Sequence, residues 1–266
     1  MTLLFDRKAV ITFGPRGEQG KQISGLRVKF QIEKNLEAIP NKATISVYNL
    51  NSDSRALTER KNLALVLAVG YGQLLENVFN GDIARPTSKL DGADIITTFE
   101  VGDGEKAYQE SKVNITYAGG TTLKDAILGV AKSFGKSIKD LSALGPEKIL
   151  NGMVLSGPSR KHMDDLSSKA GVEWSIQDDS IQIIKKGGAT NDEAVLLTST
   201  SGLIGIPVKK DKGIEVASLL QTKIKPGGII EVRSKFISGM FKVTKVIHKG
   251  DTHDNEWLSV VEALPV

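Results

Sequence analysis

Two stretches of this chain end like phosphate-binding loops, and neither is complete. A phosphate loop needs G-x-x-x-x-G-K-[ST] between a strand and a helix, so that backbone N–H groups cradle the phosphates and the lysine reaches them. Gly20-Lys21 has Pro15 at the first glycine position and Gln22 in place of the hydroxyl. Gly135-Lys136-Ser137 has the right ending, but Val130 takes the first glycine position and a helical pattern precedes it. Gly70-Tyr71-Gly72 and the GDGEK of residues 102–106 do not fit G-x-G-x-x-G before a helix. They read as tight turns where φ must be positive.

Acid, base and metal chemistry fare no better. The histidines are His162, His248 and His253, and none has another at i+4. His248 and His253 flank a hairpin loop that also holds Asp251 and Asp254. A metal clip is the sharp reading there; a solvated turn is the simpler one. The adjacent acids Asp164–Asp165 and Asp178–Asp179 are expected to diverge or face water, whereas a glycosidase needs carboxylates opposed across a cleft. No G-x-S-x-G elbow occurs. Cysteine is absent, which removes disulfides, thiolate metal sites and cysteine nucleophiles. No catalytic, cofactor-binding or metal residue is therefore assigned, no cofactor is expected, and a non-enzyme is.

With 35 basic and 31 acidic residues the net charge is +4, interleaved along the chain and too mild to imply nucleic acid. Lys185, Lys186, Lys209, Lys210, Lys212, Lys223 and Lys225 enrich the later part. They read as edge-strand protection, or as a basic groove past which nucleic acid could slide. Hydrophobic content of 40% is that of an ordinary globular chain, and 5% aromatics is low for a base-stacking surface. No apolar run is long enough for a membrane span, and MTLLFDRKAV does not read as a signal peptide.

The elements that would position any site change character along the chain. Residues 8–13, 23–34, 43–49, 63–71, 77–84 and 94–101 alternate apolar and polar, as half-buried strands do. Leu26, Val28, Phe30 and Ile32 face one way in the second, joined by Ile45 and Val47 of the third as candidate core. Turns are expected at Gly70–Gly72, Gly81–Asp82 and Asp91–Gly92, giving a small antiparallel barrel or sandwich. Residues 52–61 begin with capping types and predict a turn or two of helix. Thr121 or Thr122 caps a helix with Leu123, Ile127, Val130, Ala131 and Phe134 on one stripe, ended by Gly135. A second helix is predicted over 159–170, then a hairpin turning at Asp178–Ser180. After the polar linker 185–193, strands return at 195–199, 214–219, 229–233, 241–248 and 256–263. Trp257 anchors the last, either inward or at a subunit seam.

In order, the segments IEKNLEAIPNKATISVYNLNSDSRAL, YGQ…VFNGDIAR, TTFEVGDGEKAY, GGTTLKDAI, SLLQTKIKPGGIIEV and GMFKVTKVIHKGDTHDNEW resemble the tail and baseplate hub proteins of tailed bacteriophages. The resemblance implies a mainly β fold with an α+β insertion: a tube-like antiparallel β-barrel over 1–105, an α+β domain over 106–194 and a second tube-like barrel over 195–266. It implies a structural component of the virion, at the tail tip or baseplate, assembled in the host bacterial cytoplasm. Its expected form is a homotrimer that adapts a sixfold tail tube to a threefold spike and nucleates tube assembly. Partners would be tube or distal tube proteins, the central spike and other baseplate or wedge proteins, with DNA passing the lumen. The alternatives are a tube initiator of a phage-derived contractile injection particle, or a cell-wall hydrolase.

Overall fold

A computed structural model describes residues 6–147, 151–190 and 192–266. The first β half contains β1 (Arg7–Pro15), β2 (Lys21–Ile23), β3 (Val28–Asn35), β4 (Asn41–Tyr48), β5 (Leu63–Tyr71), β6 (Leu74–Asp91) and β7 (Asp94–Asp103), with helix α1 (Ser52–Leu57) between β4 and β5. Their side chains alternate as a period of two requires. Ile11 and Phe13 of β1, Val28, Phe30 and Ile32 of β3, Ile45 and Val47 of β4 and Leu65 and Leu67 of β5 all bury in one cluster. Leu26, just ahead of β3, is only partly buried against it.

The insertion follows as α2 (Glu105–Glu110), β8 (Lys112–Tyr117), α3 (Leu123–Lys132), β9 (Ser137–Ile138), β10 (Met153–Pro158), α4 (Ser159–Lys169), β11 (Val172–Gln177) and β12 (Ser180–Lys185). Thr122 is the N-cap of α3, its hydroxyl accepting the Asp125 N–H. Gly135, at φ +64°, follows the end of α3. The buried stripe of α3 packs with Met163 and Leu166 of α4 and with Trp174 and Ile176 of β11 into a second cluster.

The second β half is β13 (Val195–Leu197), β14 (Leu203–Lys209), β15 (Ile214–Leu219), β16 (Ile229–Arg233), β17 (Ser238–Asp251) and β18 (Trp257–Pro265). Its own cluster is built from residues such as Val216, Ile230, Val243 and Val261. Trp257 does not join it. It turns inward to the first cluster, 1% exposed, edge-on to Phe30 at 5.4 Å.

The two halves form one 13-stranded sheet, ordered β14-β15-β18-β17-β3-β4-β7-β6-β5-β1-β2, with β16 on β17 and β13 on β16. β17 joins them: its first residues pair with β16 and its last, Lys245–Asp251, with β3. Among the described residues these pairings run as an open path whose two ends do not meet.

Three local expectations change. Gly81–Asp82 is not a turn but lies within the single 18-residue strand β6. A side chain at Gly81 would sit 2.6 Å from the Gly102 carbonyl oxygen, so the glycine serves close backbone approach. β14 forms in a stretch where the alternation predicts no strand; Gly205 (φ +67°) and Pro207 disguise it, and its register shifts between Ile204 and Val208. The stretch between the two predicted helices, read as linker, holds strand β10, which pairs with β8.

Candidate assembly site: a polar junction and an exposed apolar rim

The core faces of three neighbouring strands end in polar residues. Val28-Phe30-Ile32 of β3 is followed in the same alternation by Lys34, and Phe99-Val101 of β7 by Asp103. Asn41 opens the buried face of β4 and pairs with Asp103 in register. Lys34 is 2% exposed, and Asn41 and Asp103 are fully buried. Burying such groups costs several kcal/mol unless each finds a partner. The partners come from the insertion.

The β11–β12 hairpin supplies them at its tip, where Asp178 and Asp179 both have positive φ (53° and 65°). That is the geometry of a tight two-residue hairpin turn. The Asp103 carboxylate accepts the backbone N–H of Asp178 at 2.6 Å and of Asp179 at 3.0 Å. Asn41 donates to the Ile176 carbonyl at 3.1 Å and to Gln177 Oε1 at 2.9 Å. Gln177 donates to the Asn35 carbonyl at 2.7 Å. Lys34 binds the Asp178 carboxylate, and Lys136 that of Asp179. Arg16, in the β1–β2 loop, joins Asp82 at 2.5 Å and Asp179 at 3.5 Å.

The same hairpin is fastened to the second β half. Gln182 donates to the Pro226 carbonyl at 3.0 Å, and Lys242 of β17 pairs with Glu173 at 3.1 Å. One hairpin thus ties the insertion to both halves of the sheet.

The charges at the junction shift one another. Burial, helped by the neighbouring Asp178 charge, pushes the Asp103 carboxyl up to about 6. Burial works against the Asp178 carboxylate as well, but the charge and hydrogen bond of Lys34, with Lys225 and Lys139, hold it below its ordinary range. Burial lowers Lys139, and the charges of Lys225 and Lys34 lower it further.

Of the two expectations for Asp178 and Asp179, diverging or facing water, the carboxylates diverge, one to Lys34 and one to Lys136, and they form the latch of the molecule. His248 is not part of a solvated turn either. It is 1% exposed, its Nδ1 lies 2.8 Å from the Ser259 hydroxyl, and burial depresses it to about 3. His253 sits 2.9 Å from the Thr252 hydroxyl. Asp251 is engaged by Arg27 at 2.8 and 3.1 Å, so its carboxylate is not waiting for an ion. His162 Nε2 lies 3.1 Å from the Ser156 carbonyl. No group of three His, Asp or Glu residues able to hold a metal occurs among the described residues. The structure does not bring the three histidines together.

Asp164 accepts the Trp174 indole N–H at 2.8 Å. Gly72 (φ +60°) makes the β5–β6 turn, and Gly104 (φ +77°) is the N-cap of α2. Lys136, from the incomplete phosphate motif, is spent on Asp179. Of the late lysines, Lys210 pairs with Glu215 at 3.0 Å and Lys225 stands 4.0 Å from Asp178.

The second feature is a surface. Of the twelve large apolar residues exposed among the described ones, eight lie in residues 195–266. Ile204, Ile206 and Val208 of β14 are 40%, 61% and 52% exposed. β14 is an edge: β15 pairs with one side, and nothing among the described residues pairs with the other. Met240, Leu264 and Val266, at the outer ends of β17 and β18, are exposed as well, with Val266 N–H bonded to the Met240 carbonyl. An exposed edge with apolar side chains is an invitation to pair.

Solved structures share this fold along nearly the whole chain. The 43 kDa tail protein of prophage MuSo2 from Shewanella oneidensis superposes with a TM-score of 0.67 at 11% identity, covering 98% of each chain. The tail protein from Neisseria meningitidis MC58 gives 0.64 at 9% identity, covering 96% of each. The E. coli c3393 protein, a component of the type VI secretion system with structural similarity to T4 bacteriophage tail proteins gp27 and gp5, gives 0.63 at 13% identity. That match covers 96% of this chain and 76% of the other. No curated protein matches the sequence. Residues 8–262 match the family described as baseplate hub gp41, and the chain belongs to that family, as a structural component of the phage tail baseplate.

Proposed function

We propose that this hub works as a homotrimer, without catalysis of its own, and adapts the sixfold tail tube to the threefold spike. Each copy contributes two tube-like β modules, residues 1–105 and 195–266, and an α+β module, residues 106–194. Three copies then set six β modules around one axis and template the first ring of tube. Closure of the wall comes from pairing between copies as well as within them. The lumen so enclosed passes DNA, and spike, tube and other baseplate proteins occupy the two ends and the rim.

The observation that carries this reading is the unpaired edge β14 with its exposed Ile204, Ile206 and Val208. Pro207 and the register shift blunt its backbone, but the apolar side chains stay exposed, as on a surface that meets another chain. A heterologous contact that closes generates a ring. The hairpin latch supports the same role, because a hub that transmits load must keep its modules in fixed relation.

Light scattering across a concentration series tests this. Three times 28.6 kDa is the expected mass. A particle that remains at 28.6 kDa throughout, alone and with tube or spike proteins added, overturns it. A second reading, the tube initiator of a phage-derived contractile injection particle, is favoured by the fold shared with the E. coli type VI component. Recovery of the chain on capsid-free tails distinguishes it from a hub recovered with capsids.

A further inference from the structure

Two surface features of this chain match in chemistry. One is a groove of about 670 Å3 walled by α4 and β11 on one side and by the β3–β4 turn, β17 and β18 on the other. Leu36 and Ile39 line it, Ile39 being 40% exposed. Glu37 and Glu262 line it too; both are exposed and make no ion pair among the described residues. The ammonium of Lys245 in the groove is bonded to Glu33 at 2.6 Å, and the charges of Glu262 and Glu37 act on it as well. The groove therefore combines an apolar strip, Leu36 and Ile39 facing Val172 and Trp174, with a lining of five acids against two lysines, Lys186 and Lys245, and so is net negative.

The other feature is the end of β14. Ile206 and Val208 are 61% and 52% exposed on an unpaired edge. Lys209 and Lys212 follow directly, exposed and without an ion pair among the described residues, while Lys210 pairs with Glu215. This strip is apolar, then twice positive.

Building on the trimeric ring above, we propose that the end of β14 and its lysine turn in one copy dock into the acidic groove of the next copy. Ile206 and Val208 meet Leu36 and Ile39; Lys209 and Lys212 meet Glu37 and Glu262. The apolar contact gives the affinity. The charge pairs set which surface meets which, and how fast. Edge and groove are different surfaces, so the contact is head-to-tail, and repeated about an axis it closes a ring.

Charge reversal in the full chain tests the seam. Glu37→Lys with Glu262→Lys, or Lys209→Glu with Lys212→Glu, sets like charges face to face. Either pair should weaken self-association at least ~10-fold by sedimentation or light scattering. All four substitutions together restore opposite charges with the polarity exchanged, and should recover association to within a few-fold of the unmodified chain. Circular dichroism and thermal melts confirm that each variant folds. If the unmodified chain forms rings and the double variants form them equally well, or the fourfold variant fails to recover while folded, the seam lies elsewhere and the trimer reading stands. If the unmodified chain never associates, even with tube or spike proteins added, both fall.

Discussion

The Asp103 carboxylate, on the last residue of β7, accepts the Asp178 backbone N–H at 2.6 Å across 75 residues of sequence. The same carboxylate takes the next N–H, that of Asp179. One buried side chain from the sheet thus closes the turn of a hairpin that belongs to the insertion.

Because Asp103 holds its proton up to about 6, against an ordinary 3.8, its effect on stability has a definite sign. Between those values the folded chain binds more proton than the unfolded one. The group's contribution is therefore greatest near pH 4 and declines as pH rises to about 6. The two-unit gap corresponds to at most ~3 kcal/mol. Urea midpoints of the natural chain and Asp103→Asn at pH 4, 5, 6 and 7 should show the natural chain losing stability relative to the variant as pH rises. A natural chain that gains on the variant across that range would falsify the assignment.

His248 should act in the opposite direction. Its ordinary value of 6.5 falls to about 3 in the fold, first through burial and then through the nearby Lys34 charge. The unfolded chain binds the extra proton between those values, so stability drains away as pH falls below about 6.5. His248→Gln keeps a polar atom for Ser259 and removes the titration. Its melting temperature should decline less than that of the natural chain between pH 6.5 and 4. Parallel declines in the two proteins would show that His248 does not govern acid stability.

Alternation made most of the sheet legible from the residues alone. Val28, Phe30 and Ile32, or Ile45 and Val47, can point only one way once a period of two is recognised. The pair Thr121 or Thr122, of which Thr122 is the cap, and Gly135 likewise marked the ends of α3. The junction was not legible in the same way. Lys34, Asn41 and Asp103 continue the buried faces of their strands, but read locally they are the polar ends where strands stop. Their partners lie in a hairpin far along the chain, and only the fold brings them together. For the same reason Asp178–Asp179 could be recognised as a turn but not as a latch. β14 was hidden because LIGIPVK carries a glycine and a proline that usually argue against a strand.

Phe30 and Trp257 bind the two β halves through their core. Their rings meet nearly at right angles, 77° between planes, and Gly250 lies against both. A side chain at Gly250 would stand 2.4 Å from Phe30 and 2.7 Å from Trp257. Phe30→Ala and Trp257→Ala should each cost about 3–5 kcal/mol by chemical denaturation, and Gly250→Ala about 1–3 kcal/mol through overpacking. Because all three disturb one contact, Phe30→Ala combined with Gly250→Ala should cost less than the sum. Strict additivity would mean that the glycine is required for some other reason.

Gly81 and Gly102 offer a contrast at the point where β6 passes from β5 to β7. Asp82 pairs with Ala64 on one side and with Gly102 on the other, so the backbones are crowded there. A methyl at Gly81 would lie 2.6 Å from the Gly102 carbonyl oxygen, which is held in the sheet. A methyl at Gly102 would meet the Glu105 carboxylate at 2.8 Å, the far end of a flexible side chain that can swing away. Gly81→Ala should therefore destabilise by about 1–3 kcal/mol. Gly102→Ala should stay within ~1 kcal/mol of the natural chain. Urea denaturation of the two variants side by side decides the matter. Equal losses, or the larger loss at Gly102, would mean that the close approach of β6 to β7 does not set the need for glycine at this crossing.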